Sequence, residues 1–316
     1  MQTDMNKSSK VVVIGSCCVD FTTYASRLPK PGETLIGTKF ITSYGGKGAN
    51  QCVAAAKLGL NPYMICRLGN DQWGDKYKEN FKQFGVNIEH VYCTPNVSTG
   101  IAQISVADNG ENQIVIVPGA NGQLSAHDVQ QAADIIKSAE VLIGQLETPF
   151  ETTLEAFKIN ENIKLLNAAP ARKDIDKILP YCTILCVNES EAAILTDDDV
   201  TLENASGTLK KLLDTGCETV IITLGPDGAV YLSKKDNEPI HVLCDLVKAV
   251  DTTGAGDAFV GALATFLVSH KDFPLHQIIG AACHVATISV IKEGTQSSYP
   301  TKCGVFDKVY KYLKLK

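Results

Sequence analysis

A set of short, largely apolar, β-branched runs that end in glycine or a polar residue most constrains the fold. They span residues 10–16, 63–69, 140–146, 164–167, 182–187 and 219–225. Runs that do not alternate polar with apolar residues suit strands buried on both faces of a parallel sheet. Helical patterns lie between them: one closed by Gly59, one over 75–84 closed by Gly85, and one capped by Ser125 and reaching about Ser138. Others cover 149–159, 188–195, 204–215 and 275–290. This alternation predicts an α/β fold, a doubly wound and mostly parallel sheet. Residues 228–232 and 240–243 read as antiparallel strands at the sheet edge, and a short helix is expected to end the chain.

Two stretches interrupt the alternation. Residues 21–44 are broken by Pro29, Pro31, Gly32 and Gly37 and leave room for short strands at 34–36 and 39–42. Residues 100–118 fit two strands around the hairpin pair Asn109-Gly110. Together they suit either a small sheet outside the main domain or an edge extension of the main sheet. Residues 1–10 are expected to form a disordered tail.

The net charge of −6 over 316 residues, with no basic run longer than a pair, argues against a nucleic-acid or membrane-surface partner. No apolar run is long enough to span a bilayer, and the polar first ten residues lack a signal-peptide core. A cytoplasmic address is expected, with nuclear entry left open. The 11 cysteines form no Cys-x-x-Cys pair and read as reduced, small core residues.

The chemistry concentrates in two glycine turns. Residues 250–264 pass through Gly254-Ala255-Gly256 into an apolar helix with Asp257 in its first turn. Backbone N–H groups at such a turn attract an anion. A carboxylate placed there is either a base for phosphoryl chemistry or a helix cap. Residues 45–51, Gly-Gly-Lys-Gly-Ala-Asn-Gln, form a second turn at a helix start. It lacks the pattern of a Walker A loop, and brings Lys47 and Asn50 to a polyhydroxylated ligand or simply packs a helix. Asp20, Glu147, Asn188, Glu191, Thr223, Gly225 and Asp251 fall at the carboxyl ends of strands, the edge where open α/β sheets bind ligands.

These two turns, with Asn188-x-x-Glu191, Thr223-Leu224-Gly225 and the polar loop 294–300 in that order, resemble the ribokinase-type carbohydrate kinases, the pfkB family. The likeness runs from about Val11 to Pro300. It implies ATP-dependent phosphorylation of D-ribose at the 5-hydroxyl, the alternatives being a fructose, deoxyribose or nucleoside kinase or a non-catalytic binding protein. It implies Asp257 as base and Gly254, Ala255 and Gly256 as anion hole. Asp20, Gly45, Gly46, Lys47, Asn50, Glu147 and Asp257 would hold the sugar. Asn188, Thr223, Gly225, Gly228, Gly256 and Cys283 would line the nucleotide. Asp251, Thr253, Ser289, Lys292, Gly294 and Ser298 would bind K⁺, Lys292 through its backbone oxygen, and Glu191 would hold Mg²⁺ through water. Cys18 stands where bacterial members usually carry Asn, a weaker hydrogen-bonding partner for the sugar. The resemblance also implies that 21–44 and 100–118 form a small β lid, discontinuous in sequence, beside an α/β domain made of 11–20, 45–99 and 119–314, and that two lids pair to form a homodimer.

Overall fold

A computed structural model of the chain describes residues 10–301, 304–306 and 308–315. The strands are β1 (Val11–Ile14), β2 (Cys18–Ala25), β3 (Lys39–Gly45), β4 (Tyr63–Gly69), β5 (Val91–Thr94), β6 (Gly100–Ala107) and β7 (Asn112–Val117). They continue with β8 (Val141–Gly144), β9 (Ile163–Asn167), β10 (Ile184–Asn188), β11 (Thr219–Thr223), β12 (Ala229–Ser233), β13 (Ile240–Val242) and β14 (Tyr312–Lys314). The α-helices are α1 (Lys47–Lys57), α2 (Gln72–Gln83), α3 (Ala126–Gln131), α4 (Ala133–Ser138) and α5 (Phe150–Ile159). Four more follow: α6 (Glu189–Thr196), α7 (Ala205–Leu213), α8 (Ala255–Ser269) and α9 (Leu275–Ser289).

The large sheet runs β14-β13-β12-β11-β10-β9-β8-β1-β4-β5. It is parallel from β5 to β11 and antiparallel from β11 to β14. Strand β1 explains why its sequence reads as one apolar run. Val11 and Val13 enter a core with α1, α2, α8 and α9, whereas Val12 and Ile14 enter a second core with α3 to α7 on the other face. Period-two side chains on a sheet covered on both faces must be apolar at every position. Strand order reverses between β1, which leads to β4, and β8, and such a switch point opens a crevice beyond the strand ends.

The smaller sheet has the order β3-β2-β6-β7. It differs in detail from the sequence reading. It starts at Cys18, so Asp20 lies within β2 and not in a loop after β1, and residues 34–36 are not a strand. Cys18–Ala25 pairs with both β3 and β6, and this pairing outweighs the breakers further along. The expected terminal helix is also absent among the described residues. Tyr312–Lys314 instead pairs with β13, a partner about seventy residues upstream that local pattern does not register. Residues 1–9 of the expected tail lie outside the described residues. Lys10, counted with that tail, is in place, its carbonyl accepting the Glu140 N–H at 2.9 Å. Eight of the ten described cysteines are buried, as small core residues.

Candidate active site

The switch-point crevice is built from three turns. Gly15, Ser16 and Cys17 link β1 to β2, and the Gly45-Gly46 turn leads into α1 across them. Gly46 has φ of 90°, and a Cβ there would lie 2.7 Å from the Cys18 nitrogen, so only glycine lets the two backbones cross. The third turn follows β8 and carries Glu147, whose Oε2 accepts the Ser16 hydroxyl at 2.5 Å and the Lys47 N–H at 3.0 Å. Ser16, unremarked in the sequence, thus joins two strand ends at the switch point.

Asp257, in the first turn of α8, is buried. Its Oδ2 accepts from Asn50 Nδ2 and its Oδ1 from Gln51 Nε2, both at 2.9 Å. Helices α1 and α8 can come this close because of Gly261, where a Cβ would lie 2.5 Å from the Gln51 carbonyl oxygen. Burial pushes the Asp257 carboxyl up from its ordinary value, against the opposing pull of Lys47 and the two amides. Burial alone would lower the Lys47 ammonium, but Asp257, Glu147 and Glu191 outweigh it and hold Lys47 protonated. A cavity of about 160 Å³ is lined by Lys47, Asn188, Glu191, Gly254, Gly256 and Asp257. Two carboxylates against one ammonium suit a site completed by a cation when a polyanion enters.

A second cavity, about 660 Å³, shares Asn188, Thr223 and Gly256 with the first and extends past Gly225, Gly228 and Cys283. The Gly254–Gly256 turn therefore sits at the junction. Gly254 has φ of 76° and packs against the 295–299 loop, its carbonyl accepting the Tyr299 hydroxyl at 3.1 Å. The Ala255 N–H donates to the Thr252 carbonyl at 3.2 Å. A Cβ on Gly256 would meet only open space, the cavity itself.

Asn188 and Glu191 form a reciprocal capping box at the start of α6, the Glu191 N–H reaching Asn188 Oδ1 at 2.8 Å and the Asn188 N–H reaching Glu191 Oε2 at 2.9 Å. The motif is thus a helix cap, and its carboxylate still lines the first cavity, raised mainly by burial.

Of the residues expected around K⁺, Asp251 and Gly294 meet directly. Asp251 accepts from the N–H groups of Gly294 and Thr253, each at 2.9 Å, and these bonds hold its carboxyl below the ordinary value despite partial burial. The Val250 and Asp251 N–H groups reach the Val290 carbonyl, which ties this segment to the end of α9. The Ser289 carbonyl accepts the Lys292 N–H, and the hydroxyls of Ser289 and Ser298 turn back to the carbonyls of Ala286 and Thr295. Lys292 is exposed.

Asp20 is half-buried on β2, its side chain lying over Gly45 of β3: a Cβ there would lie 2.2 Å from Asp20 Oδ2. Burial and the Glu147 charge push the Asp20 carboxyl up to about 7. Cys18, two residues earlier, is buried with its sulfur 3.5 Å from Asn121 Nδ2, and its thiol is pushed up to about 12 by burial. Between the ordinary 3.8 and about 7 the folded chain holds a proton on Asp20 that the unfolded chain has lost. Stability must fall as pH rises through that window and level off above it. Asp20→Asn is expected to remove this slope, giving a Tm gain over the parent chain that is larger at pH 8 than at pH 5. Equal Tm for the two chains at pH 8 would refute the raised Asp20 carboxyl.

The sequence profile of the pfkB family carbohydrate kinases matches residues 8–302. A ribokinase of Mus musculus is 45% identical over 301 residues, 94% of this chain and 93% of its own length. A deoxyribokinase of Salmonella typhi is 37% identical over 310 residues, 96% of this chain and 99% of its own. The solved structure of Arabidopsis thaliana ribokinase complexed with ribose and ATP superposes with a TM-score of 0.87 at 29% identity, covering 95% of this chain and 98% of that one. A profile match over nearly the whole length, and relatives this similar over all but its ends, establish that the chain belongs to the pfkB family of carbohydrate kinases.

Proposed function

We infer that this chain transfers the γ-phosphoryl group of ATP to the 5-hydroxyl of D-ribose, yielding D-ribose 5-phosphate and ADP. The observation that carries the reading is the position of Asp257, a buried carboxylate lining a small polar cavity that adjoins, across Gly256, a larger one suited to a nucleotide. The sugar would occupy the switch-point crevice, held by Asp20, Lys47, Asn50 and Glu147 beside Gly45 and Gly46. The nucleotide would lie along Asn188, Thr223, Gly225, Gly228 and Cys283. Asp257 takes the proton of the 5-hydroxyl as its oxygen bonds to the γ-phosphorus and the bond to the ADP oxygen breaks. Burial makes this carboxylate more basic than an exposed one. N–H groups of Gly254 and Gly256, with Lys47, stabilise the charge on the transferring group, the Ala255 N–H being engaged by the Thr252 carbonyl.

Glu191 and Asn188 suit Mg²⁺ held through water, which supplies charge neutralisation on the phosphates. Asp251, ionised and pinned by two N–H groups, suits K⁺ together with backbone oxygens of Thr253, Ser289, Lys292 and Gly294 and with Ser298.

The test is ADP release with Mg-ATP and each of D-ribose, 2-deoxyribose, fructose and adenosine, in K⁺ and in Na⁺ buffer. Ribose turnover above the other three, and higher in K⁺, is expected. Turnover of fructose or adenosine without ribose would overturn the substrate assignment, and equal rates in the two buffers would dispose of the K⁺ site.

The assembly that best suits the smaller sheet is a homodimer. Strand β7 is an edge, and Ile114, Val115, Ile116 and Val117 are all exposed on it, with Phe40 60% exposed on β3 at the other edge. Such an edge needs cover. Sedimentation should give a dimer that Val115→Lys with Ile116→Lys converts to monomer, and a parent chain monomeric at assay concentration would contradict it.

A further inference from the structure

Asp257 is held by more than the two side chains that touch it. Gln51, which donates to Oδ1, has its own oxygen filled by Gln145 Nε2 at 2.6 Å. Asn50, which donates to Oδ2, has its oxygen filled by Gln296 Nε2 at 3.0 Å. Gln296 is itself fixed, its oxygen accepting from Asn80 Nδ2 at 2.9 Å while Nε2 also reaches the Tyr77 hydroxyl at 3.2 Å. Two amide chains thus start from separate elements, the end of β8 and the 294–300 loop. They pass through adjacent residues of α1 and finish on the two oxygens of one carboxylate. Gln51, Gln145, Gln296, Asn50 and Asn80 are all buried.

A side-chain amide has a donor end and an acceptor end, and turning it over exchanges them. Asn50 and Gln51 show their N–H groups to Asp257 because an outer amide N–H occupies each of their oxygens, and Gln51 Nε2 is held further by Asn167 Oδ1 at 3.0 Å. One outer residue carries a cost for this. Gln145 Oε1 is buried and without a hydrogen-bond partner among the described residues. It is pressed against Gly15, where a Cβ would come within 2.0 Å of it. An apolar side chain of similar shape would avoid that cost but would leave the Gln51 oxygen without its donor.

We propose that Gln296 and Gln145 are positioning residues for phosphoryl transfer, fixing the amides of Asn50 and Gln51 so that N–H donors hold both oxygens of Asp257 in one orientation at the cavity it lines. The proposal rests on the reading of Asp257 as the base. The charged and titratable groups facing Asp257 are Lys47 on α1, Glu147 after β8, Glu191 on α6 and Tyr299 in the 294–300 loop. None of them changes in the variants that test it.

Gln296→Met and Gln145→Met in the full chain keep the side-chain length and remove the donors. Each should lower kcat by about tenfold, with KM for ATP unchanged. Each should also move the acid limb of the kcat profile to higher pH, because the ionised carboxylate loses support. Gln145→Met removes one unpaired acceptor and leaves another on Gln51, so its lower kcat should come with little net change in Tm. Gln296 lies in the loop expected to hold K⁺, so K⁺ titration accompanies the assay. Recovery of kcat by excess K⁺ would assign the effect to the cation and overturn the proposal for Gln296. Gln145 lies outside that loop and gives an independent answer, also if Gln296→Met fails to fold. A folded Gln145→Met with parental kcat and acid limb overturns the proposal. Asp257→Asn run alongside separates the two levels: if it stays active the functional reading fails, and if it is inactive while both Met variants are normal only the positioning roles fail.

Discussion

Asp257→Asn is expected to reduce kcat with ribose by about a thousandfold, within the usual range for loss of a general base, while nucleotide binding persists. The substitution keeps shape and burial but removes the proton acceptor. It also disturbs the surroundings in a definable way. Both oxygens of Asp257 accept N–H donors. An asparagine offers one oxygen and one NH₂ group, so one donor would face another. Asn50 or Gln51 could turn over only by breaking its contact with Gln296 or Gln145. That conflict costs about 1–3 kcal/mol, offset in part because a buried charge is removed. Activity should therefore fall far more than Tm. Turnover within tenfold of the parent, measured by ADP release, would remove Asp257 as the base. The pH dependence has a fixed sign: the ionised form is needed and burial raises this carboxyl, so kcat should decline on the acid side at a pH above the ordinary value of 3.8.

Gly254→Ala should be nearly as damaging, for a different reason. Its φ of 76° lies in the left-handed region, which costs a residue with a Cβ about 1–2 kcal/mol. The added carbon would also lie 2.3 Å from Thr295 Cγ2 and 2.7 Å from the Tyr299 hydroxyl oxygen. Either the turn or the 295–299 loop must move, and the N–H groups at the start of α8 move with it. A displacement near 1 Å at a phosphoryl-transfer site costs about a hundredfold in rate. A loss of kcat of that size, with a lower Tm, is expected. An alanine variant with parental kcat would show that the turn does not set the geometry of transfer.

Much of this was legible from local pattern. Runs such as 10–16 and 63–69 declare buried parallel strands because both faces demand apolar side chains. The glycine turns declare themselves because backbone crossings such as Gly46 over Cys18 admit no Cβ. What escaped depends on partners distant in sequence. Asp20 belongs to a strand because Cys18–Ala25 finds β6, about eighty residues later. Tyr312–Lys314 is a strand because β13 offers an open edge. Gln51, Gln145, Gln296 and Ser16 are polar residues in buried places, and periodicity assigns such residues to the surface. Their partners lie 94 to 246 positions away in the pairs Gln145–Gln51 and Gln296–Asn50, and 131 away for Ser16–Glu147, so no local window contains the signal. The motif 188–191 is both a cap and a cavity wall, and spacing alone could not separate two roles that coexist.

The direct passage from β1 into β2 has a thermodynamic corollary. Only Gly15, Ser16 and Cys17 separate a central strand of the large sheet from the strand that carries Asp20. The proposed sugar site thus spans two bodies, with Glu147 on one and Asp20 on the other. A second copy bound to the smaller sheet would bias where that sheet rests, and so would a sugar bridging both bodies. Linkage makes the two effects reciprocal: if sugar tightens the dimer, dilution of the protein must weaken the sugar by the same factor. Apparent sugar affinity then becomes a function of enzyme concentration.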